Sequence, residues 1–231
     1  MAKETKSYVE RDVSWMFFNH RILQEAKKEQ VPLLERLSFL GIYSNNLDEF
    51  FRVRVASINR FLENPKLDKA TKTILKDSLK TINKLNKQYS IEYSKAVNDV
   101  MKSLEQQGIR ILSDKELNDE QKKFLTDFFY SKLNGSVNPI WLSEIKEISR
   151  LEDNRIYLVV NRVDIKEKQD TKYAIVKVPD RQFGRWLKVP SSDGKDNIMY
   201  LDDVVRFCLP LIFIGMKESA YEAYSFKFTK D

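Results

Sequence analysis

The hydrophobic and polar positions of the first hundred residues repeat with the period of an α-helix. Apolar residues recur near helical spacing in three stretches, separated by breaks that contain proline or glycine. We predict one helix capped by Ser14 over 15–29, a second that begins near Pro32, and a long third that ends at Gly108. Long amphipathic helices joined by short breaks are typical of a helical bundle.

Beyond Gly108 the pattern mixes helix and strand. Residues 119–133 keep a helical period, whereas 155–163 and 172–178 are rich in β-branched and aromatic residues and flank a charged loop. That arrangement predicts an antiparallel hairpin. The remaining predicted elements are a second hairpin around the Asp193-Gly194 turn, a short helix capped by Asp202 or Asp203, and a last strand over 223–229.

The fold class that follows is α+β: an N-terminal all-α helical bundle, then an α+β domain whose strands are short and largely antiparallel. The change of pattern places the two predicted domains at 1–107 and 108–231. Because the chain stops two residues after a strand-like run, we expect the second domain to be truncated at its C-terminus.

Composition and charge add few constraints. The chain has 231 residues, of which 42% are hydrophobic, and its net charge of +6 permits a polyanionic partner without demanding one. The single cysteine, Cys208, lies in an apolar segment and is interpreted as a small buried hydrophobe. One cysteine, no apolar signal segment and no apolar run long enough to span a bilayer predict a cytoplasmic protein without a transmembrane segment.

Familiar catalytic motifs are missing from the sequence. None of the six glycines has phosphate-loop spacing, and one cysteine with one histidine makes no zinc motif. His20 has no obvious carboxylate to orient it, so we interpret it as a partly exposed helix histidine rather than a phosphoryl acceptor or a base. We therefore predict neither a catalytic residue nor a metal ligand in this chain.

Six lysines of the third predicted helix recur at intervals of three and four residues, which places them on one face opposite the apolar stripe. They are Lys69, Lys72, Lys76, Lys80, Lys84 and Lys87. This face is either a track for a polyanion or the solvated side of an amphipathic helix. No aromatic residues alternate with the lysines to stack bases, which favours the solvated side.

Two neighbouring asparagines, Asn45 and Asn46, stand in the middle of the second predicted helix. Asparagine is a poor helix former because its side chain competes for nearby backbone groups. Asn46 falls close to the apolar stripe, one turn before Phe50. Its amide is either a buried hydrogen-bond link between helices or a group directed at a polar ligand, and the pattern alone does not choose between the two.

Three segments together resemble the N-terminal part of bacterial polyphosphate kinase of the large, histidine-phosphorylated type. They are VSWMFFNHRILQEA (13–26), VPLLERLSFLGIYSNNLDEFFRVRVA (31–56) and YAIVKVP (173–179). The family motifs are similar to L-S-W-L-x-F-N-x-R-V-L-Q-E-A and P-L-x-E-R-x-x-F-L-x-I-x-S-x-N-L-D-E-F. The second match is long and free of gaps, and the resemblance extends more loosely beyond Gly108.

The resemblance implies that the first region is the helical N-terminal domain of that family and the second its head domain, through which the enzyme dimerises. It also implies reversible transfer of the terminal phosphate of ATP to inorganic polyphosphate through a phosphohistidine, with Mg²⁺ as cofactor and ADP as product. In the family, the catalytic histidines and the phosphate-holding arginines belong to two further domains. His20 matches neither histidine, so the resemblance implies that this chain alone is inactive.

Asn46 matches the nucleotide-contacting asparagine of the family motif S-x-N-L-D-E-F, while Asn45 takes the variable position before it and is assigned no role. The resemblance thus implies ATP or ADP and polyphosphate as partners, with no nucleic acid. The alternative is a non-enzymatic basic module that binds nucleic acid or another polyanion through the lysine face.

Overall fold

The computed structural model describes residues 9–145, 147, 151–164, 171–214 and 219–230. The chain divides into two compact units, Met1–Leu104 and Glu105–Lys230. The charged loop predicted between the strands of the first hairpin falls mostly on 165–170, outside the described residues.

The first unit is helical, as predicted. Its elements are α1 (Arg11–Ala26), α2 (Leu33–Phe50), a π-helical turn (Phe51–Val55), α3 (Ala56–Glu63) and α4 (Lys69–Gln106). The buried face of α4 packs on α1 and α2. The ring of Tyr93 stacks on that of Tyr43 of α2, and the ring of Tyr89 stacks on that of His20 of α1. Ile74, an apolar residue of α4, is 59% exposed.

The predicted cap of α1 is wrong. Ser14 lies inside the helix, and the cap is Glu10, whose carboxylate accepts hydrogen bonds from the backbone N–H groups of Asp12 (2.9 Å) and Val13 (3.0 Å). A carboxylate at the positive end of the helix dipole satisfies two otherwise unpaired donors. The helix therefore begins one turn earlier than predicted and buries Val13.

The π-helical turn between α2 and α3 was not predicted. A π turn holds an extra residue, which rotates the following side chains by about 100° around the helix axis. Val55, the last residue of the turn, and Ile58 of α3 are buried. The guanidinium of Arg54 makes two hydrogen bonds of 3.0 Å to the carboxylate of Asp12 on α1.

In the part of the second unit that the structure describes, the strands form two sheets. The strands are β1 (Ile109–Leu112), β2 (Pro139–Trp141), β3 (Arg155–Asp164), β4 (Thr171–Lys177), β5 (Trp186–Val189), β6 (Asp196–Tyr200) and β7 (Ser219–Phe228). Their spatial order is β1-β6-β5 in one sheet and β2-β4-β3-β7 in the other. The helices are α5 (Asp119–Phe128), continued by a π turn (Phe129–Leu133), α6 (Asp180–Phe183), α7 (Leu201–Phe207) and α8 (Leu209–Ile212), with a 3₁₀ turn at Leu142–Glu144.

Both predicted hairpins are confirmed, because β3 pairs antiparallel with β4 and β5 pairs antiparallel with β6. The predicted last strand is also present, and β7 pairs antiparallel with β3 along its whole length. The pair β1 and β6 is parallel. The α+β class with largely antiparallel strands is confirmed.

The predicted cap of α7 is wrong, because the helix begins at Leu201 and neither aspartate precedes it. Asp202 instead accepts a hydrogen bond from the hydroxyl of Ser225 (2.6 Å), and Asp203 pairs with Arg206 one turn later. The two carboxylates hold α7 to β7 and to its own next turn. Cys208 is fully buried, as predicted, and burial raises the pKa of its thiol to about 12.

Candidate functional site

Helices α1 and α2 form an antiparallel hairpin, and paired side chains meet at regular intervals along it. The rings of Trp15 and Phe50 stack with centroids 4.1 Å apart. One helical turn further along, Asn19 of α1 meets Asn46 of α2. The two asparagines therefore lie next to an aromatic contact that fixes the separation of the helices.

The amide of Asn19 is oriented by the backbone of α2. Asn19 is only 1% exposed, and its Nδ2 donates a hydrogen bond of 3.1 Å to the carbonyl oxygen of Tyr43. Because a carbonyl oxygen only accepts, the group of the Asn19 amide that faces Tyr43 is Nδ2. The other end of the amide, Oδ1, faces Asn46. Asn46 Nδ2 donates a hydrogen bond of 3.2 Å to Asn19 Oδ1.

This orientation leaves Asn46 with unused hydrogen-bonding capacity. Asn46 is half-buried, whereas Asn45 is exposed. Among the described residues Asn46 has one side-chain hydrogen bond, the one through Nδ2, so Oδ1 and the second Nδ2 hydrogen have no protein partner. The helix-to-helix link and a ligand contact are therefore compatible, since each uses a different part of the same amide.

A cleft of about 470 Å³ opens on α1, lined by Arg11, Asp12, Ser14, Trp15, Phe18 and Arg54. Trp15 lies one helical turn before Asn19, but neither Asn19 nor Asn46 lines the cleft. Phe18 is 59% exposed and presents an apolar ring at its edge. The cleft thus combines aromatic and cationic groups with the Asp12–Arg54 pair.

The prediction that His20 has no orienting carboxylate is wrong. Glu92 of α4 supplies one, 72 positions away in sequence, with Oε2 at 3.1 Å from His20 Nε2 and 2.9 Å from Lys27 Nζ. The imidazole also stacks on the ring of Tyr89, with centroids 3.9 Å apart. These contacts give His20 a structural role, joining α1 to α4.

The carboxylate of Glu92 is stabilised in its charged form. The hydrogen bond from Lys27, and then that of His20, lower the pKa of Glu92 below its ordinary value. A lowered pKa stabilises the fold above the unfolded-state pKa, and this stability is lost as the pH falls through the folded-state pKa. Glu92 therefore contributes at neutral pH and not in acid.

We expect Glu92→Gln to lower the free energy of unfolding of the first unit by about 1 kcal/mol or less at neutral pH, because the pair is partly exposed. The difference from the unsubstituted protein should disappear below the folded-state pKa of Glu92. Denaturant unfolding across this pH range measures it. Glu29→Gln, which removes an exposed carboxylate without a partner among the described residues, is the matched control. Equal effects of the two substitutions would refute the contribution of this cluster.

In the described ranges, no group of three or more histidine, cysteine, aspartate or glutamate side chains is placed to hold a metal ion. Over the same residues, no helix combines the length and the apolar character that crossing a membrane requires.

Two family profiles match almost the whole chain. The polyphosphate kinase N-terminal domain matches residues 8–112, and the polyphosphate kinase middle domain matches residues 120–231. Among curated proteins, polyphosphate kinase of Vibrio parahaemolyticus is 32% identical over 98% of this chain and 32% of its own length. Polyphosphate kinase of Escherichia coli K12 is 30% identical over 99% of this chain and 33% of its own length.

A solved structure gives the same result. The crystal structure of polyphosphate kinase from Porphyromonas gingivalis superposes with a TM-score of 0.79 and 25% identity, and the match covers 96% of this chain and 33% of that one. The chain spans about a third of the length of the curated relatives it matches. Its sequence and its fold agree with successive domains of the same enzyme, and the chain therefore belongs to the polyphosphate kinase family.

Proposed function

We propose that this chain is the part of a polyphosphate kinase that contacts the adenine of ATP. The whole enzyme would transfer the terminal phosphate of ATP to inorganic polyphosphate, reversibly and through a phosphohistidine. The observation that carries the proposal is the hydrogen bonding of the Asn46 side-chain amide. One Nδ2 hydrogen is donated to Asn19, whereas Oδ1 has no partner among the described residues. The names of its relatives, polyphosphate kinases, support a kinase that acts on polyphosphate.

The open part of the Asn46 amide matches the edge of adenine. Adenine presents an exocyclic amino group, a donor, beside ring nitrogens that accept. Asn46 Oδ1 would accept from the amino group, and the second Nδ2 hydrogen would donate to a ring nitrogen. Because the link to buried Asn19 fixes the rotamer of Asn46, the contact would need little further ordering on binding.

The chemical step is proposed to occur outside this chain. Mg²⁺, when bound, neutralises the phosphates in phosphoryl transfer. The described residues offer no cluster that fits it, so the metal ligands are assigned to the remaining domains of the enzyme. The phosphorylated histidine is assigned there too, and His20, held between Glu92 and Tyr89, is left out of the chemistry. This chain alone is therefore proposed to be inactive.

Self-association is proposed for the second unit, in a cytoplasmic enzyme. Strand β7 lies at an edge of its sheet and carries Tyr224, which is 68% exposed. An edge strand leaves backbone donors and acceptors open to a second copy. The apolar segment 206–213 offers less surface for an interface, because Cys208, Leu209 and Phe213 belong to the core.

The experiment that tests the adenine contact is a comparison of ATP with ITP, in which an oxygen replaces the amino group of adenine. In the whole enzyme we expect the apparent KM for ITP to be about tenfold higher, because an acceptor would then face Asn46 Oδ1. Asn46→Ala should remove most of this preference, whereas Asn45→Ala should keep it. A preference unchanged in the Asn46 variant would reject the proposal.

A further inference from the structure

We propose that the lysine face of α4 is a docking surface for a chain of inorganic polyphosphate, separate from the nucleotide contact. The lysine ridge consists of Lys69, Lys72, Lys76, Lys80, Lys84 and Lys87. The choice of partner rests on the proposed function, in which polyphosphate is the substrate that grows. The ridge itself is a feature of the described helix.

The lysine ridge is long and faces away from the rest of the first unit. On α4, Ser78, Ile82 and Tyr89 are buried, and the lysines project from the opposite side of the helix. Five of the six lysines are exposed and Lys72 is half-buried. From the first lysine to the last, the ridge extends about 27 Å at the rise of an α-helix. It therefore suits an extended ligand better than a single phosphate.

The lysines of the ridge are not paired with carboxylates among the described residues, although Asp68 and Asp77 lie four and three residues before Lys72 and Lys80. None of its six lysines forms an ion pair within the described part of the chain, although Lys27 and Lys28 of the same unit pair with Glu92 and Glu25. A solvated helix face is usually stabilised by acids placed three or four residues from lysines. Here Lys72, Lys76, Lys80 and Lys84 follow one another at intervals of four, so like-charged neighbours outnumber the two acids, Asp68 and Asp77, at helical spacing from the ridge. A bound polyanion would relieve that repulsion.

The chemistry of the ridge favours polyphosphate over a nucleic acid. Lysine binds phosphate as a flexible point charge and reads no base. Single-stranded nucleic acids are usually held by aromatic side chains on which the bases stack. The aromatic residues of α4, Tyr89 and Tyr93, pack on α1 and α2, on the other side of the helix. A ligand that is all phosphate needs no such platform.

The lysine ridge also avoids the nucleotide contact. Helix α4 packs on α1 and α2 through the face that bears Tyr89, whereas Asn46 lies in the hairpin itself. A polyphosphate chain on the ridge would leave Asn46 accessible. The two surfaces can thus be tested independently, one with nucleotide and the other with polyphosphate.

The test measures binding of fluorescently labelled polyphosphate, several tens of phosphates long, to this chain without nucleotide. The test variant carries Lys76→Gln, Lys80→Gln, Lys84→Gln and Lys87→Gln, which keep helix propensity. The control variant makes the same change of net charge in the second unit, with Lys115→Gln, Lys123→Gln, Lys132→Gln and Lys195→Gln. None of those four lysines has an ion-pair partner among the described residues. Circular dichroism checks that both variants are folded.

We expect the test variant to bind at least about tenfold more weakly at low salt, with the slope of log affinity against log salt reduced by about 3, the value for four lost phosphate contacts. The control variant should stay within about threefold of the unsubstituted chain, because its lysines lie off the ridge and act only through net charge. A tripolyphosphate competitor should be far weaker per phosphate, because it cannot span the ridge.

Three results would overturn the proposal: no binding by the unsubstituted chain, equal losses in both variants, or equal affinity for single-stranded RNA of the same charge. The last would make the ridge a nucleic-acid surface. None of them bears on the adenine contact, since no nucleotide is present in the assay. Conversely, if Asn46→Ala leaves the KM for ATP unchanged, the nucleotide proposal is rejected. The result for polyphosphate binding to the ridge is not affected.

Discussion

Replacing Asn46 by alanine in the whole enzyme should raise the apparent KM for ATP by about fivefold to thirtyfold. The change removes the proposed polar contact to adenine, which would be worth about 1 to 2 kcal/mol, and each 1.4 kcal/mol is about tenfold in affinity. The kcat at saturating ATP should change less, because the adenine edge is remote from the transferred phosphate. Initial rates at varied ATP measure both quantities, and Asn45→Ala is the control that should leave them nearly unchanged.

The same substitution should also destabilise the first unit. Asn46 donates to Oδ1 of Asn19, which is buried, so alanine leaves an acceptor without a partner at a cost of about 1 to 3 kcal/mol. The better helix propensity of alanine recovers less than about 1 kcal/mol of this. A lower melting temperature therefore does not distinguish a ligand contact from a purely structural link. Nucleotide affinity in the folded enzyme does.

A second substitution separates the two roles. Asn19→Leu replaces the buried amide by an apolar group of similar shape, which removes the acceptor that Asn46 would otherwise leave unpaired. In that background Asn46→Ala should cost little stability but should still raise the KM for ATP. Because Asn19→Leu also removes the link that fixes the rotamer of Asn46, it should itself raise the KM for ATP somewhat. If neither Asn19→Leu alone nor Asn46→Ala in that background raises the KM, Asn46 is a helix link only and the adenine contact is contradicted.

The helices were the best predicted part of the first unit, and their ends were the worst. Sustained apolar periodicity gives a long helix such as α4 a strong signal. The cap of α1 fell on Glu10 rather than Ser14 because capping depends on which side chain reaches the free N–H groups, and several nearby polar residues qualify. The π turn at Phe51–Val55 has no marker in the sequence, and its Arg54 pairs with Asp12 of α1, a contact that no local pattern encodes.

The strands show a related limit. The hairpins were readable because each strand is flanked by a loop and rich in β-branched residues. Strands β1 and β2, four and three residues long, were missed because such short runs carry no measurable alternation. The parallel pairing of β1 with β6 joins segments far apart in sequence, and no local pattern encodes it.

The candidate site was only half visible in the sequence. Asn46 stood out because an asparagine pair is unusual inside a helix, and the resemblance to polyphosphate kinase implied a nucleotide as its ligand. Asn19, 27 positions away, did not stand out, although it determines which end of the Asn46 amide is open. Glu92 was missed as the partner of His20 for the same reason, since 72 positions separate them. Contacts between helices follow from packing, which one sequence does not display.

Leu158→Ala should lower the stability of the second unit by about 2 to 5 kcal/mol, the range for a leucine removed from a closed core. Leu158 is fully buried in β3, the strand that pairs with both β4 and β7, and its face of the sheet packs on α5 and α7. Leu142→Ala is the matched control, because this leucine is 49% exposed and should cost much less. Hydrogen exchange of the β3 and β4 amides is the appropriate measurement, since a chain of two compact units need not unfold in one step.

If the protection of these amides falls equally in the two variants, or falls in neither, β3 is not the centre of a cooperative core. If only Leu158→Ala reduces it, the edge strand β7 loses the support on which the proposed self-association depends.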